Sequence, residues 1–263
     1  SVMKKASRKT PTRQEWEDYW RSHPVNYELP PSASPDRALL TESRSMKSDL
    51  QRIRKVSAEF RMACTKLFDT GPAVTVFGSA RFRPSHPYYK LARKVGNELA
   101  RAGFATMTGG GPGIMEAANR GAHEAGGASI GLNIILPHEQ GANPYVDQSI
   151  EFEYFFTRKT CLVKYSCAFI VMPGGLGTMD ELFEAATLVQ CGKIGPFPII
   201  LMGSEFWQGM RDWGSQLKEI GVFTEEEVGF GYVTDSPREA VDFVLASLPE
   251  NLRPAGNQKG GSL

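Results

Sequence analysis

The 263-residue sequence contains no apolar run long enough to cross a membrane, which takes about 20 apolar residues in a helix. Its first residues lack the apolar core of a signal peptide, so we expect no export. A net charge of only +1 argues against a general nucleic-acid-binding protein. These absences predict a cytoplasmic protein that binds neither membranes nor nucleic acids.

Cysteine and histidine are both scarce, with four residues of each. No two cysteines have the CxxC spacing of a zinc or redox site, and no histidines form an HxH or HExxH pattern. We therefore expect four reduced thiols and no metal site. No GxxxxGK[ST] sequence occurs, which excludes a P-loop nucleotide hydrolase.

Segments typical of strands and helices alternate over residues 72–248. Short apolar runs predict the strands, and amphipathic stretches between them predict the helices. The predicted strands cover 73–79, 104–108, 129–136, 151–156 (the least certain), 167–172, 197–202 and 231–234. Such alternation predicts an α/β fold, namely a Rossmann-like, doubly wound and mainly parallel sheet. Ligands of these sheets bind beyond the carboxyl ends of the strands.

The regions outside this domain, which we place at 72–250, have a different composition. Residues 1–35 are polar and rich in proline, so they bury too little apolar surface to offset the entropy lost on ordering. We expect an extended or disordered tail there, except for a short docking piece that contains Trp16, Tyr19 and Trp20. A second disordered tail is expected over 251–263.

A helical extension, placed at 36–71, connects the first tail to the domain. We expect one long helix over residues 36–68, because apolar residues recur there at helical spacing. These residues are Leu50, Ile53, Val56, Phe60 and Leu67. Their shared face must pack on the main domain or on another subunit.

Two glycine loops, each between a strand and a helix, share the pattern GGxG, one residue, Met and an acid. They begin at Gly110-Gly111-Pro112-Gly113 and at Gly174-Gly175-Leu176-Gly177. Glycines let the backbone approach a ligand closely, and the N-terminus of the following helix attracts phosphate. The third glycine of a GxGxxG dinucleotide fingerprint is missing, so a compact anion such as a monophosphate fits best. Tight connections without a ligand are the alternative interpretation.

The segment 173–181, PGGLGTMDE, matches PGGxGTxxE, the signature of the lonely-guy (LOG) family. Residues 108–118, TGGGPGIMEAA, are similar to that family's first glycine loop, and FGS at 77–79 resembles the end of its first strand. The resemblance covers about 73–220 and indicates a longer, bacterial-type member. The family is often labelled lysine decarboxylase in error, and no His-Lys pair that would anchor pyridoxal phosphate occurs here.

This resemblance implies a cofactor-free hydrolase acting on cytokinin riboside 5′-monophosphates, or on simpler purine nucleotides such as AMP. The N-glycosidic bond would be cleaved to give free base and ribose 5-phosphate. It also implies a homodimer or a higher homo-oligomer, such as a hexamer, in which the interface completes the site. Related Rossmann-like proteins carry molybdenum cofactor or sense nucleotides without hydrolysis, and such a carrier or sensor is the alternative function.

The family's functional residues transfer to matching positions in this sequence. Its arginine and the last glutamate of its motif correspond to Arg158 and Glu181, which we expect to be catalytic. Its substrate-binding glutamate after the third strand corresponds to Glu139. The other expected substrate-binding residues are Ser79, Gly110, Gly111, Gly113, Lys159, Gly174, Gly175, Leu176, Gly177, Thr178, Asp180 and Thr187.

Each candidate side chain also has a structural interpretation. A carboxylate stabilises the positive charge that builds on the anomeric carbon, but Thr178 and Glu181 also have the spacing of a capping box. Arg158 would bind phosphate or support the leaving base through its planar donors, or be a solvated helix arginine, and Lys159 could simply face water. Asp180, like Glu116 in the first loop, is expected in a first helical turn, where acids are favoured anyway.

Overall fold

The computed structural model describes residues 12–22, 35–41, 45–135, 141–195, 197–224 and 231–255. The chain divides into two compact units, Ser1–Glu42 and Ser43–Leu263, and each is described by itself.

The smaller unit contains helices α1, Arg13–Ser22, and α2, Pro35–Thr41. A reciprocal capping pair starts α1, since Glu15 N–H donates to Thr12 Oγ1 (3.2 Å) and Thr12 N–H donates to Glu15 Oε2 (2.6 Å). Residues 13–22, which contain the aromatic residues of the expected docking piece, thus form a helix rather than part of an extended or disordered tail. Within α1, the rings of Trp16 and Tyr19 meet edge to face at 5.8 Å.

The larger unit is built on a sheet in which every described strand is parallel to its neighbours. The strands are β1 (Ala73–Phe77), β2 (Ala105–Thr108), β3 (Ser129–Ile134), β4 (Gln148–Phe152), β5 (Ala168–Val171), β6 (Ile199–Met202) and β7 (Tyr232–Thr234). Their order is β4-β3-β2-β1-β5-β6-β7. Strands β2 to β4 are therefore added in turn on one side of β1, and β5 to β7 are added in turn on its other side. This arrangement confirms the doubly wound Rossmann-like fold, and the strand placed at 151–156 lies slightly earlier, at β4.

Helices cover both faces of the sheet. They are α3 (Met46–Leu67), α4 (Pro87–Arg101), α5 (Ile114–Glu124), α6 (Phe155–Lys164), α7 (Leu176–Gln190), α8 (Ser204–Glu219) and α9 (Pro237–Ser247). Both α4 and α9 begin with proline at the first position, as the sequence predicts. The hydroxyl of Ser236 caps α9 by accepting the N–H of Glu239 at 3.3 Å.

Alternating side chains of each strand divide the core into two layers. Val74 and Val76 of β1 pack in the layer that contains residues of α4, α5 and α9. Ala73 and Phe77 pack in the other layer, with residues of α3, α6, α7 and α8. Both faces of β1 are therefore buried, which explains its continuous apolar sequence.

The predicted long helix over 36–68 is divided, because α3 begins only at Met46, after an N-cap at Ser45. The C-terminal half of α3 packs on the domain, where Leu67 is buried and Phe60 is partly buried. Leu50 and Ile53 of the predicted apolar face are 49% and 60% exposed. The apolar face thus covers the domain with only half of its length.

The end of the described chain is more ordered than expected. Glu250–Leu252 forms a 3-10 turn, and Pro254 is buried, while Arg253 Nε donates to the carbonyl oxygen of Leu248 at 2.9 Å. The disordered tail predicted over 251–263 is therefore wrong for residues 251–254. Within the described ranges, no helix combines the length and the hydropathy that a bilayer crossing requires. All four cysteines are free thiols.

Candidate active site

Both glycine loops begin at the carboxyl edge of the sheet, beside the switch between β1 and β5. The chain leaves β1 towards one face and β5 towards the other, which opens a crevice of the kind that binds ligands. Ser79 lies at this point, where its N–H donates to the carbonyl oxygen of Pro173 and its own carbonyl oxygen accepts the N–H of Ile114, both at 3.0 Å. Ser79 therefore connects the two loops through its backbone.

Hydrogen bonds within the protein occupy much of the first glycine loop. The N–H of Gly110 donates to Thr108 Oγ1 at 2.9 Å, and the carbonyl oxygens of Gly110 and Gly111 both accept from Asn143 Nδ2 at 3.1 Å. Gly113 has φ +70, and a Cβ added to it would lie 2.4 Å from the carbonyl oxygen of Ser79. The fold itself thus requires glycine at position 113.

A buried amide pair fixes the first loop, and the sequence patterns did not indicate it. Asn119 Oδ1 accepts from Thr108 Oγ1 at 2.6 Å and from Asn143 Nδ2 at 3.0 Å. Asn119 Nδ2 donates in turn to Ser129 Oγ at 2.9 Å. Because unmade bonds of buried amides are costly, this network holds the loop in one conformation.

The second glycine loop, in contrast, is open. Gly175 is the N-cap of α7, and no side chain caps this helix. A Cβ added to Gly175 or Gly177 would meet no atom within 4 Å, and Leu176 is 91% exposed. The first-turn N–H groups of α7 lack intrahelical acceptors, and they carry the partial positive charge of the helix end. The second loop is therefore the better place for an anion.

Glu181 lies on the second turn of α7, close behind this open loop. Its side chain is 7% exposed, and its Oε2 is buried without a hydrogen-bond partner in the described part of the chain. The helix begins at Leu176 rather than after Thr178. A capping box between Thr178 and Glu181 is therefore wrong, and stabilising the helix start does not account for this carboxylate.

Burial raises the pKa of Glu181 to about 7, because the charged form is poorly solvated inside the protein. The positive charges of Arg158 and Lys159 lower this pKa, whereas the negative charges of Asp180 and Glu184 raise it further. Near neutral pH this carboxyl group is therefore present in both its protonated and its ionised form, which suits a group that moves protons.

Arg158 lies on α6, next to the first loop, and its charge acts on Glu181. Its side chain is partly buried, with the guanidinium 5.3 Å from the centre of the Phe155 ring. Its Nη1 is 3.6 Å from the position that a Cβ on Gly109 would occupy. The interpretation of Arg158 as a solvated helix arginine is therefore wrong.

Lys159 joins α6 to α7 through two ion pairs. Its Nζ lies 2.7 Å from Asp180 Oδ2 and 2.5 Å from Glu184 Oε2, and the side chain is only 18% exposed. Burial alone would lower the pKa of Lys159, but the bonds to Asp180 and Glu184 outweigh it and the pKa is raised. Lys159 does not simply face water, and both its acidic partners lie on the helix that carries Glu181.

The remaining predicted residues are distributed as follows. Asp180 lies past the first turn of α7, contrary to expectation. Glu116 is in the first turn of α5 and accepts the Tyr89 hydroxyl at 2.6 Å. The hydroxyl of Thr187 bonds to its own helix, and its position on α7 is about 14 Å along the axis from Thr178, at ~1.5 Å per residue. Glu139 lies outside the described residues.

Comparisons with known proteins agree with this arrangement. The family described as "Possible lysine decarboxylase" matches residues 115–244. The cytokinin riboside 5′-monophosphate phosphoribohydrolase of Mycobacterium marinum is 30% identical over 161 residues, which are 60% of this chain and 86% of that protein. The enzyme of the same name from Mycobacterium tuberculosis is 31% identical over 164 residues, with the same shares.

A solved structure, the molybdenum cofactor binding protein from Rippkaea orientalis, shares the fold. It has a TM-score of 0.52 and 23% identity, and the match covers 68% of this chain and 98% of that one. The fold is that of a Rossmann-like protein, with two glycine loops at the carboxyl edge of its sheet. The sequence similarity to the two mycobacterial enzymes shows that the chain belongs to the LOG family.

Proposed function

We propose that this chain hydrolyses the N-glycosidic bond of purine nucleoside 5′-monophosphates, releasing free base and ribose 5-phosphate. The mycobacterial relatives are named for this chemistry on cytokinin ribosides. The observation that carries the proposal is Glu181, a buried carboxylate whose Oε2 has no hydrogen-bond partner among the described residues, which feels the charge of Arg158 and lies on a helix whose N-terminus has no side-chain cap. The chain's proposed substrates are AMP or cytokinin riboside 5′-monophosphates.

The 5′-phosphate binds at the second glycine loop in this proposal. Gly175 and Gly177 leave space around the backbone, and the first-turn N–H groups of α7 point towards that space. The hydroxyl of Thr178, in the same turn, adds a further donor. The first loop is less suited to hold the phosphate, because the N–H groups of Gly110 and Ile114 already donate within the protein. It forms the opposite wall of the crevice.

Glu181 acts at the anomeric carbon. As the bond to the base breaks, its electron pair leaves with the base and positive charge builds on the ribose. Ionised Glu181 stabilises that charge and then accepts a proton from the water whose oxygen bonds to the carbon. The pKa of about 7 lets the same group take up this proton near neutral pH and pass it on to the departing base, which is released as the neutral molecule.

Arg158 and Lys159 have different tasks. The guanidinium of Arg158, beside the first loop, binds phosphate or supports the leaving base through its planar donors. Lys159 holds Asp180 and Glu184 and so fixes α6 against α7, which keeps Arg158 and Glu181 in register. We assign Lys159 and Asp180 to positioning, and Arg158 and Glu181 to the reaction.

A panel of substrates tests the proposal. Free base and ribose 5-phosphate should form from AMP or isopentenyladenosine monophosphate, whereas the corresponding nucleosides should be nearly inert, because a neutral nucleoside does not use the N-terminus of α7. Equal rates on AMP and adenosine would contradict the phosphate site. Tight binding of AMP without any release of base would instead indicate the carrier or sensor function.

A further inference from the structure

A second buried carboxylate, Glu59 on α3, is tied to the start of α6. It is 9% exposed. Its Oε1 accepts the N–H of Glu153 at 2.5 Å, and its Oε2 accepts the hydroxyl of Thr157. Burying a carboxylate is costly unless its oxygens are hydrogen-bonded, and here both oxygens have donors from one short segment.

That segment is the start of α6, whose N-cap, Tyr154, makes no side-chain capping bond. Glu153 immediately precedes the N-cap, and Thr157 is the third residue of the helix. Glu59 thus supplies from another helix the negative charge and the acceptor that an N-terminus favours. Thr157 also donates to the carbonyl oxygen of Tyr154 at 2.8 Å, which closes the turn.

Two further contacts hold α3 against the segment 148–153, which leads into α6. Lys55, one turn before Glu59, lies 3.5 Å from Glu153 Oε2. Gln148 at the start of β4 donates to the carbonyl oxygen of Lys66 at 3.0 Å. Of these contacts within the described ranges, only the bond between Thr157 and Glu59 reaches α6 itself, and Arg158 directly follows Thr157 in the chain.

We propose that Glu59 is a positioning residue of the active site. By fixing the first turn of α6 it sets the place of the Arg158 guanidinium, although it touches no substrate. The inference rests on the function proposed for Arg158. It gives α3, which precedes the α/β domain, a defined part in the chemistry rather than in packing alone.

Three variants separate positioning from simple stabilisation. Glu59→Ala removes both acceptors, and a reacting group displaced by ~1 Å costs about a hundredfold in rate, so kcat/KM for AMP should fall by about tenfold to a hundredfold. Glu59→Gln keeps an acceptor for Glu153 and should restore most of the activity. Leu67→Ala, a buried change on the same helix, should lower the melting temperature and leave kcat/KM of the folded protein unchanged.

A double-mutant cycle identifies the route of the effect. If Glu59 acts through Arg158, then Glu59→Ala should cost nothing further in an Arg158→Ala background, because the group that it positions is already absent. Losses that multiply fully in the double variant would overturn the inference. So would equal losses in Glu59→Ala and Leu67→Ala.

Hydrogen exchange keeps this inference separate from the proposed function. If the wild-type protein does not cleave AMP, the proposed hydrolase function is refuted. The role of Glu59 is then tested by the rate of amide exchange in the peptide that covers the start of α6. Its amides should exchange faster in Glu59→Ala than in wild type, and Leu67→Ala should leave them unchanged while both variants are folded. Equal exchange in wild type and Glu59→Ala would overturn the role of Glu59.

Discussion

Replacing Glu181 by glutamine should make the protein more stable and inactive at the same time. The pKa of Glu181 is about 7 in the folded chain, against an ordinary value of 4.5. At ~1.4 kcal/mol per pKa unit, this difference corresponds to about 3 kcal/mol of unfolding free energy. Because the folded pKa is the higher one, the folded protein binds the proton more tightly, and ionisation of Glu181 destabilises it.

The size of this gain in stability depends on pH between about 4.5 and 7. Above pH 7 the wild-type protein carries the whole cost of the buried charge. As the pH falls from about 7 towards 4.5, Glu181 takes up a proton in the folded state and the cost disappears. Glutamine resembles the protonated acid at every pH, so the variant should be more stable by about 3 kcal/mol at pH 8 and similar to wild type near pH 4.

Urea denaturation at pH 8 and at pH 5, combined with turnover of AMP, measures both effects. Turnover should fall by about a hundredfold or more, since the electrostatic partner of the transition state is removed. Glu184→Gln is the matched control on the same helix, and it should gain no comparable stability. An unchanged stability of Glu181→Gln at pH 8 would refute the argument from burial, and wild-type turnover would refute the catalytic role.

Three further predictions concern Arg158, the glycine loops and assembly. Arg158→Ala should raise KM and lower kcat together in steady-state kinetics, because its contact serves both binding and rate; a change in KM alone would leave Arg158 only a binding role. Gly113→Ala should lower the melting temperature, since its φ is +70 and its Cβ would meet Ser79, whereas Gly177→Ala, in the open second loop, should leave the melting temperature unchanged. Light scattering should show at least a dimer at micromolar concentration, and a monomer would contradict the expected assembly.

The sequence predicted the parts of the molecule that depend on local pattern. Strand and helix periodicity predicted the alternation from β1 to α9, and the resemblance to the LOG family singled out Arg158 and Glu181 as candidates, which lie on different helices and influence each other electrostatically only in the fold. Periodicity alone did not show that the second loop is open and the first is closed. That difference depends on side chains from distant segments, above all Asn143.

The errors have physical reasons as well. Thr178 and Glu181 have capping-box spacing, but α7 starts earlier, at a glycine that bends the chain without a side-chain cap. Glu59 was overlooked because a charged residue on an amphipathic helix ordinarily faces water, and its donors lie almost a hundred positions away. The composition of residues 1–35 suggested disorder, although Thr12 and Glu15 provide a local start signal for α1.

The place of β1 in the middle of the sheet has a consequence for how the protein is made. On one side β1 pairs with β2, where Val74 lies beside Thr106, and on the other with β5, where Val74 lies beside Ala168. During synthesis, β1 to β4 emerge first and leave one edge of β1 without a partner. Arg158 belongs to this early half, whereas Glu181 follows β5. A nascent chain therefore holds the arginine before it has the carboxylate, and the proposed active site is complete only when the second half joins the first.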